Sequence, residues 1–165
     1  MNTSFSLVLK LGGSGDTSRS KRATALHRGL RGAEWQLVAT EEPPLGSHLV
    51  TPRRGYLHHG IYVGDGKVVH YAGLANGFRR GPVEEVPLAR FARGQHVWVR
   101  SDSIPDFDCG EVIRRALSRV GENCYRLLTN NCEHFCEWCL RGEPRSFQVE
   151  AWLARPMRTL LRLTP

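Results

Sequence analysis

The sequence predicts a single α+β domain in which β-strands come first and two capped helices follow. The chain has 165 residues, of which 41% are hydrophobic, and this is enough for one ordinary core. The clearest strand signal is a β-hairpin at residues 58–73, and the clearest helix signals lie at 109–120 and from residue 131 onward. No apolar run approaches the ~18 residues that a membrane-spanning helix needs.

Composition divides the chain into three parts. Residues 1–32 are rich in Ser, Gly, Thr, Lys and Arg and lack periodicity, so we predict a mobile N-terminal extension. Residues 33–148 carry the domain, and residues 149–165 form a C-terminal amphipathic tail that Pro156 interrupts. The N-terminus lacks the basic start and small-residue cleavage site of a secretory signal, so we expect a cytoplasmic protein.

The net charge bears on the class of partner, and the number of cysteines bears on their redox state. The net charge of +7 is carried mainly by Arg, which favours anionic partners such as phospholipid headgroups, although the same charges can simply be spread over a solvated surface. No basic run is interleaved with aromatic residues, so a nucleic-acid partner is not expected. An odd total of five cysteines fits reduced thiols better than a disulfide scaffold.

Strand signals occupy the first half of the domain. The turn 43–46 leads into a short strand at 48–50, which Pro52 is expected to end. The hairpin follows, with β-branched and aromatic residues on both sides of Gly64-Asp65-Gly66. Residues 73–87 are rich in Gly and Pro and are predicted as a loop with a brief strand at 83–86, and residues 96–100 alternate as a further strand would.

The turn of the hairpin decides which histidines share a face. With a two-residue turn at Asp65-Gly66, residue 61 opposes His70, and His59 then lies on the same face as His70. With a three-residue turn that includes Gly64, residue 60 opposes His70, and His58 takes that place instead. Propensity alone leaves the two alternatives open.

Two helices are predicted in the second half. Asp108 is expected to cap a helix over 109–120, with Glu111 as its capping-box partner. Asn130 is expected to cap a second helix that begins near residue 131, with Glu133 in the third helical position. The second helix presents one buried face at helical spacing, made of Cys132, Phe135, Cys136, Cys139 and Leu140.

Cys132 is the candidate nucleophile because it begins a helix. The unpaired amides and the dipole at a helix N-terminus favour a thiolate, with pKa values of roughly 3.5–7.5, and could also hold an oxyanion. Cys136 and Cys139, which lie deeper on the same face, are interpreted as core residues. His134 is two positions away on the helix and points in another direction, so the base is expected to come from the hairpin.

A zinc site is the alternative that we weighed for this segment. Cys132, His134, Cys136 and Cys139 are suitable ligand types, but structural zinc sites usually join two ligand pairs on separate elements, and His134 faces away from the cysteines. We therefore predict neither a metal nor another cofactor.

Two motifs together give a family resemblance. The hairpin HHGIYVGDGKVVHYAG, followed about sixty residues later by TNNCEHF, resembles the lecithin:retinol acyltransferase family, including the HRAS-like suppressor phospholipase/acyltransferases. The preceding PPLGSHLV resembles that family's first strand, and the likeness covers roughly residues 42–141. The sequence GSH stands where many members have Gly-Asp, and the hydrophobic C-terminal anchor of the vertebrate members is missing, so a soluble bacterial member is the expectation.

The resemblance implies a fold and a set of site residues. The fold would be a circularly permuted NlpC/papain-like α+β fold, with an antiparallel sheet packed against helices. The family's nucleophile matches Cys132, and its two histidines match His58 and His70. The resemblance thus favours the three-residue turn, and His59 carries no family role.

We therefore expect a thiol-dependent acyltransferase or phospholipase A-type hydrolase that forms a thioester on Cys132. His58 would take the thiol proton and His70 would orient His58. The expected partners are a lipid acyl donor and a small acceptor (water, an amine or an alcohol), with peripheral contact to an anionic membrane surface. The alternatives are an NlpC-like cysteine peptidase or amidase and a noncatalytic binding module of the same fold.

Overall fold

Alternating apolar residues build a six-stranded antiparallel sheet, and helices cover both of its faces. The computed structural model describes residues 34–37, 41–76, 79–101 and 104–154, so the extension at 1–32 lies outside it and the boundaries at 32/33 and 148/149 stay predictions. The strands are β1 (Glu34–Gln36), β2 (His48–Arg53), β3 (Tyr56–Gly64), β4 (Lys67–Asn76), β5 (Arg79–Pro87) and β6 (Trp98–Arg100). They lie in the order β1-β6-β2-β3-β4-β5, and each neighbouring pair is antiparallel.

Four helices complete the described part of the chain. They are α1 (Leu88–Ala92), α2 (Cys109–Ser118), α3 (Cys132–Arg141) and α4 (Phe147–Leu153). Within the described residues, no helix is long and apolar enough to cross a membrane. The α+β class predicted from the sequence is confirmed.

The two faces of the sheet bury two separate apolar clusters, as the alternation of side chains along a strand requires. On one face, Ile61 and Val69 pack against α2 and α3 through Val112 and Phe135. On the other face, the cluster contains Phe91 of α1, Val97 just before β6, and the strand residues Leu49, Tyr62, Val68, Val86 and Val99. We call these the α3 face and the α1 face.

The turn of the hairpin differs from the one that the resemblance favoured, but the register of the two strands agrees with it. Its turn consists of two residues, Asp65 and Gly66, which both have positive φ, so the prediction of a three-residue turn is wrong. A bulge between Tyr62 and Gly64 shifts the ladder by one residue, and Ile61 therefore pairs with Val69. The bulge has the same effect on the register as an odd-length turn.

The strands are longer than the sequence suggested. The predicted loop at 73–87 is wrong, because β4 and β5 pair as far as Asn76 and Arg79. Strand β2 also continues through Pro52 to Arg53. Proline is tolerated there because the described pairing of β2 with β6 involves only Leu49 and Val50, so no ladder hydrogen bond from residue 52 is needed on that side.

Both predicted helices form, with different capping partners. Asp108 caps α2 by accepting a hydrogen bond from the Glu111 N–H at 2.8 Å, as predicted, but the Glu111 carboxylate pairs with Arg114 and not with the cap. Helix α3 is capped by Asn131, one residue later than predicted, and His134 closes its capping box. The prediction that Asn130 is the cap was wrong by one position.

Gly60 is where the α1 face tolerates no side chain. A Cβ at this position would lie 2.6 Å from Val68 Cγ1, 2.9 Å from Phe91 Cε2 and 3.3 Å from His70 Cβ. Strand β3 and helix α1 can therefore approach each other only over a glycine.

We expect Gly60→Ala to lower the free energy of unfolding by about 1–3 kcal/mol, because overpacking forces neighbouring side chains out of place. Gly110→Ala is the matched control: it lies in the first turn of α2, meets only the Asp108 carboxylate at 3.3 Å, and should be neutral or stabilising by up to about 1 kcal/mol. Urea unfolding of both variants measures the difference, and an equal effect would contradict the close approach at Gly60.

Candidate active site

Cys132 is the first residue of α3 and is buried among core side chains. It belongs to the cluster on the α3 face, together with Phe135 and Cys136. The Asn131 side chain accepts hydrogen bonds from the N–H groups of Glu133 and His134, at 2.9 and 3.1 Å. Two of the amides that we expected to be available for an oxyanion are therefore already bonded to the cap.

The expected lowering of the thiol pKa is wrong. Burial raises the pKa of Cys132 to about 12, whereas hydrogen bonds from backbone N–H groups, with that of His59 first among them, lower it by less. Desolvation of the thiolate thus outweighs the helix N-terminus. Cys132 is a neutral thiol at pH 7.

His58 and His70 form a buried pair, as the predicted register required. His58 Nε2 lies 3.0 Å from His70 Nδ1, and both rings stack against Phe91 on the α1 face. His70 Nε2 lies 3.5 Å from Glu84 Oε1 on the neighbouring strand. His58 Nδ1 is buried and has no hydrogen-bond partner among the described residues.

Burial keeps both imidazoles neutral at pH 7. Desolvation, together with the charges of His70 and Arg53, holds the pKa of His58 well below its usual value. Desolvation also lowers the pKa of His70 to about 4, against a hydrogen bond that the ring donates to the Tyr71 backbone and that raises the pKa. The pair can therefore accept a proton at neutral pH.

The thiol lies beside His59 of β3, where the sheet opens. In the described ladder between β3 and β4, the last pair on this side is Ile61 with Val69. The Tyr62 N–H donates to the Ser47 carbonyl beside β2, and since hydrogen bonds alternate along an antiparallel strand, the N–H groups of Leu57 and His59 point toward the β4 side. The N–H that lowers the pKa of Cys132 is that of His59, so the sulfur lies at this opening.

Two residues beside His58 are also electrostatically coupled to the thiol. A charge on Cys132 would raise the pKa values of Arg53 and Tyr56. The Tyr56 ring meets that of His58 edge-on, and the Arg53 guanidinium donates to the carbonyl of Phe91, whose ring contacts both histidines. The thiol on the α3 face is thus coupled to residues that border the pair on the α1 face.

A second polar cluster lies on the α3 face beside Cys132. His59 Nδ1 lies 2.8 Å from His48 Nε2, and His59 Nε2 lies 2.8 Å from Gln148 Nε2. The Glu133 carboxylate accepts hydrogen bonds from the Ser146 hydroxyl at 2.6 Å and the Gln148 N–H at 3.0 Å, and lies 3.5 Å from Arg100. Burial opposes its charge, but the His59 ring, these hydrogen bonds and Arg100 together hold the pKa of Glu133 below its usual value.

The contacts of the two cluster histidines with glutamates are not ion pairs. His48 Nδ1 lies 3.8 Å from Glu137, and His59 Nε2 lies 4.0 Å from Glu133. Desolvation lowers the pKa of His59 to about 4 and that of His48 well below its usual value, so both rings are neutral at pH 7.

Several residues of the site were missed in the sequence, and Glu84 is one of them. Glu84 pairs directly with His70 in the β4–β5 ladder, but this strand was predicted largely as a loop. Ser146 and Gln148 lie close to Glu133 only because α4 folds back on α3, which no local pattern indicates. Among the described residues, no group of three His, Cys, Asp or Glu side chains could hold a metal ion, and all five cysteines are free.

Five histidines are buried, and the pKa of each is lowered in the fold, so stability should depend on pH. Below about pH 6.5 the unfolded chain protonates these imidazoles, whereas the folded chain protonates His59 and His70 only near pH 4. The unfolded state therefore binds more protons in this window, and the free energy of unfolding should fall as the pH falls, by about 1.4 kcal/mol per pH unit for each such group.

The double variant His48→Leu/His59→Phe should reduce this pH dependence by roughly two fifths, because it removes two of the five buried imidazoles. Urea unfolding at several pH values from 6.5 to 4 gives the slope for both proteins. An unchanged slope in the double variant would show that these two rings are not neutral in the fold.

The chain is similar to known proteins of one family. Residues 41–145 match the family model "Lecithin retinol acyltransferase". The chain is 33% identical to human phospholipase A and acyltransferase 2 over 128 residues, which cover 68% of this chain and 79% of that protein.

Lecithin retinol acyltransferases themselves are also similar to the chain. The human protein is 35% identical over 132 residues and the bovine protein 32% over 132 residues. Each match covers 64% of this chain and 57% of the relative, so the chain spans little more than half the length of these acyltransferases. The breadth of the family match, over nearly all of the sheet and the helix that begins at Cys132, shows that the chain belongs to the lecithin retinol acyltransferase family.

Proposed function

We propose that the protein transfers or hydrolyses acyl groups of lipids through a thioester on Cys132, with His58 as the base and His70 as the residue that orients it. The observation that carries the proposal is the buried His58–His70 pair, in which His58 Nδ1 has no partner among the described residues and His58 directly precedes His59, whose N–H bonds the thiol. Family membership supports an enzyme, because the similar relatives are named as acyltransferases.

The hydrogen bonds of the pair support one assignment of protons. If His58 Nδ1 accepts the thiol proton, His58 Nε2 carries a hydrogen that donates to His70 Nδ1 at 3.0 Å. His70 Nε2 then carries a hydrogen toward Glu84, 3.5 Å away. Glu84 therefore stabilises the positive charge that spreads over the two rings when His58 is protonated.

The reaction begins with a neutral thiol and a neutral imidazole, because burial disfavours both charged forms. His58 takes the proton from Cys132 as the sulfur attacks the carbonyl carbon of an acyl ester, and the His59 N–H stabilises the charge on the sulfur. The alcohol part of the ester leaves with the proton from His58, and the acyl group remains on Cys132 as a thioester. Water, an amine or an alcohol then attacks the thioester and restores the thiol.

The charges around the imidazole pair support an anionic lipid surface as the partner. Arg53 and Arg93 act electrostatically on both His58 and His70, and Arg90 acts on His70. Arg90 and Arg93 are exposed on or next to α1, beside the pair. Their charge favours an acyl donor with a phosphate group and peripheral contact with an anionic membrane. The five free cysteines support the cytoplasm as the compartment.

The order of the site residues along the chain supports the circular permutation that the family resemblance implies. In papain-like proteases the nucleophile lies near the N-terminus and the histidine far downstream. Here His58 and His70 precede Cys132, and the strands precede the nucleophile's helix.

We expect Cys132→Ala to abolish the acyl adduct that forms on the protein during incubation with phospholipid, because no other thiol lies at the opening. His58→Gln should lower turnover by roughly 10²–10⁴-fold through loss of the general base. Mass spectrometry of the intact protein and of its cysteine peptides gives the adduct and its position, and Cys124→Ser, an exposed thiol, is the control that should change nothing.

An adduct that persists in Cys132→Ala would contradict the mechanism. Cleavage of peptides without any lipid adduct would move the assignment to an NlpC-like peptidase or amidase. The absence of both activities from the folded wild-type protein would leave a binding module.

Arg90→Ala/Arg93→Ala should weaken binding to vesicles that contain phosphatidylglycerol by roughly 30-fold, at about 1 kcal/mol for each arginine. Vesicles of phosphatidylcholine alone should show little difference, and added salt should reduce the effect. Arg114→Ala/Arg145→Ala is the control, because loss of these exposed arginines removes the same charge, but they do not act on the imidazole pair. Equal losses in both double variants would indicate net charge alone.

A further inference from the structure

The buried histidine pair His48–His59 is not part of the proposed catalytic set, yet it lies beside the thiol. The two rings lie 5.0 Å apart between centroids, with His59 Nδ1 2.8 Å from His48 Nε2. Both residues are 1% exposed. Burying two imidazoles costs more free energy than burying apolar side chains of the same shape, because the ring nitrogens lose their hydrogen bonds to water and each needs a new partner.

Gln148 determines where the protons of this pair lie. Its Oε1 accepts a hydrogen bond from the Leu57 N–H at 2.8 Å, and its Nε2 donates to the Leu57 carbonyl at 3.1 Å, so the orientation of the amide is fixed. Nε2 must then also donate to His59 Nε2 at 2.8 Å. It follows that His59 Nδ1 carries the hydrogen and donates it to His48 Nε2, and that the hydrogen of His48 is on Nδ1, toward Glu137.

This chain of hydrogen bonds joins three elements around the nucleophile, and Glu137 of a fourth lies 3.8 Å from His48 Nδ1, beyond hydrogen-bond distance. His48 is on β2, His59 is on β3, Gln148 is on α4, and Glu137 is on α3. On the same helix, Glu133 directly follows Cys132 and accepts a hydrogen bond from the Gln148 N–H. The free edge of β3, beyond the last pair with β4, is thus held at a fixed distance from the first turn of α3.

The residue at the centre of this arrangement is also the one whose main chain faces the sulfur. The His59 N–H points away from β2 and toward the opening, where it meets Cys132. The side chain of His59 lies on the α3 face, whereas the neighbouring His58 lies on the α1 face. A shift of the main chain at His59 would therefore move both the donor to the sulfur and the proposed base.

On the basis of the proposed function, we propose that His59 is a positioning residue. Its ring is held between His48 and Gln148 and so keeps the backbone N–H of the same residue directed at Cys132. This N–H stabilises the thiolate formed in acyl transfer. His48 acts through His59 by accepting its Nδ1 hydrogen. Nothing in the arrangement requires these rings to change charge, since both stay neutral in the folded protein at pH 7.

The test is the reactivity of the Cys132 thiol, which needs no lipid substrate. His48→Leu leaves the His59 Nδ1 hydrogen without its acceptor, so we expect the rate of alkylation of Cys132 by iodoacetamide at pH 8 to fall roughly tenfold, which corresponds to a thiol pKa higher by about one unit. Mass spectrometry of the Cys132 peptide separates this rate from those of the exposed thiols Cys109 and Cys124. With lipid substrate, kcat should fall by a similar factor and KM should change less than twofold.

The double variant His48→Leu/His59→Phe should alkylate about as slowly as His48→Leu, because phenylalanine bonds neither His48 nor Gln148 and the ring loses both anchors in either protein. Leu49→Val is the matched control: it loosens the core at the next residue of β2 but on the α1 face, and it should leave the alkylation rate unchanged.

An alkylation rate within twofold of the wild type in folded His48→Leu would overturn the positioning role, and so would an equal fall in Leu49→Val. If His48→Leu does not fold, Gln148→Met breaks the other anchor of His59 and is expected to slow alkylation in the same way. If no acyl adduct forms with lipid but the alkylation rate still falls in His48→Leu, the acyl-transfer function is refuted and the positioning role stands.

Discussion

The site depends on one extra residue in strand β3. The bulge between Tyr62 and Gly64 shifts the hairpin register by one, and since side chains alternate between faces, this shift puts His58 and His70 on the same side of the sheet. Without the bulge, a two-residue turn would put His59, and not His58, on the same face of the sheet as His70. The hydrogen bond between His58 and His70 follows from this local irregularity.

Burial, more than the helix N-terminus, governs the protonation of the site. Cys132 stays a thiol and the imidazoles stay neutral because every charged form would have to give up water. Catalysis of the proposed kind therefore begins without an ion pair, and the proton moves only as the new bond forms. The donors that face the sulfur matter more in such a site, since they act where solvent does not.

The sequence was informative where local chemistry decides the structure, as in the hairpin around Asp65-Gly66, the Asp108 cap and the position of Cys132 at a helix start. It was less informative about long-range pairing. Residues 73–87 look like a loop because of their Gly and Pro content, but Gly73 and Gly81 pair across β4 and β5. The roles of Gln148 and Glu133 depend on how α4 returns to α3, and no periodicity encodes that contact.

Asn131 has a consequence beyond capping α3. Its side-chain oxygen binds the first turn of the helix, while its amide donates to the Leu127 carbonyl at 2.8 Å and approaches the Ser146 hydroxyl at 3.4 Å. The turn at 126–130, closed by the paired Arg126 and Asn130, is therefore fastened to the helix that begins at Cys132. Leu127 and Leu128 of this turn are exposed, so a molecule that binds them contacts a segment hydrogen-bonded to the residue that precedes Cys132.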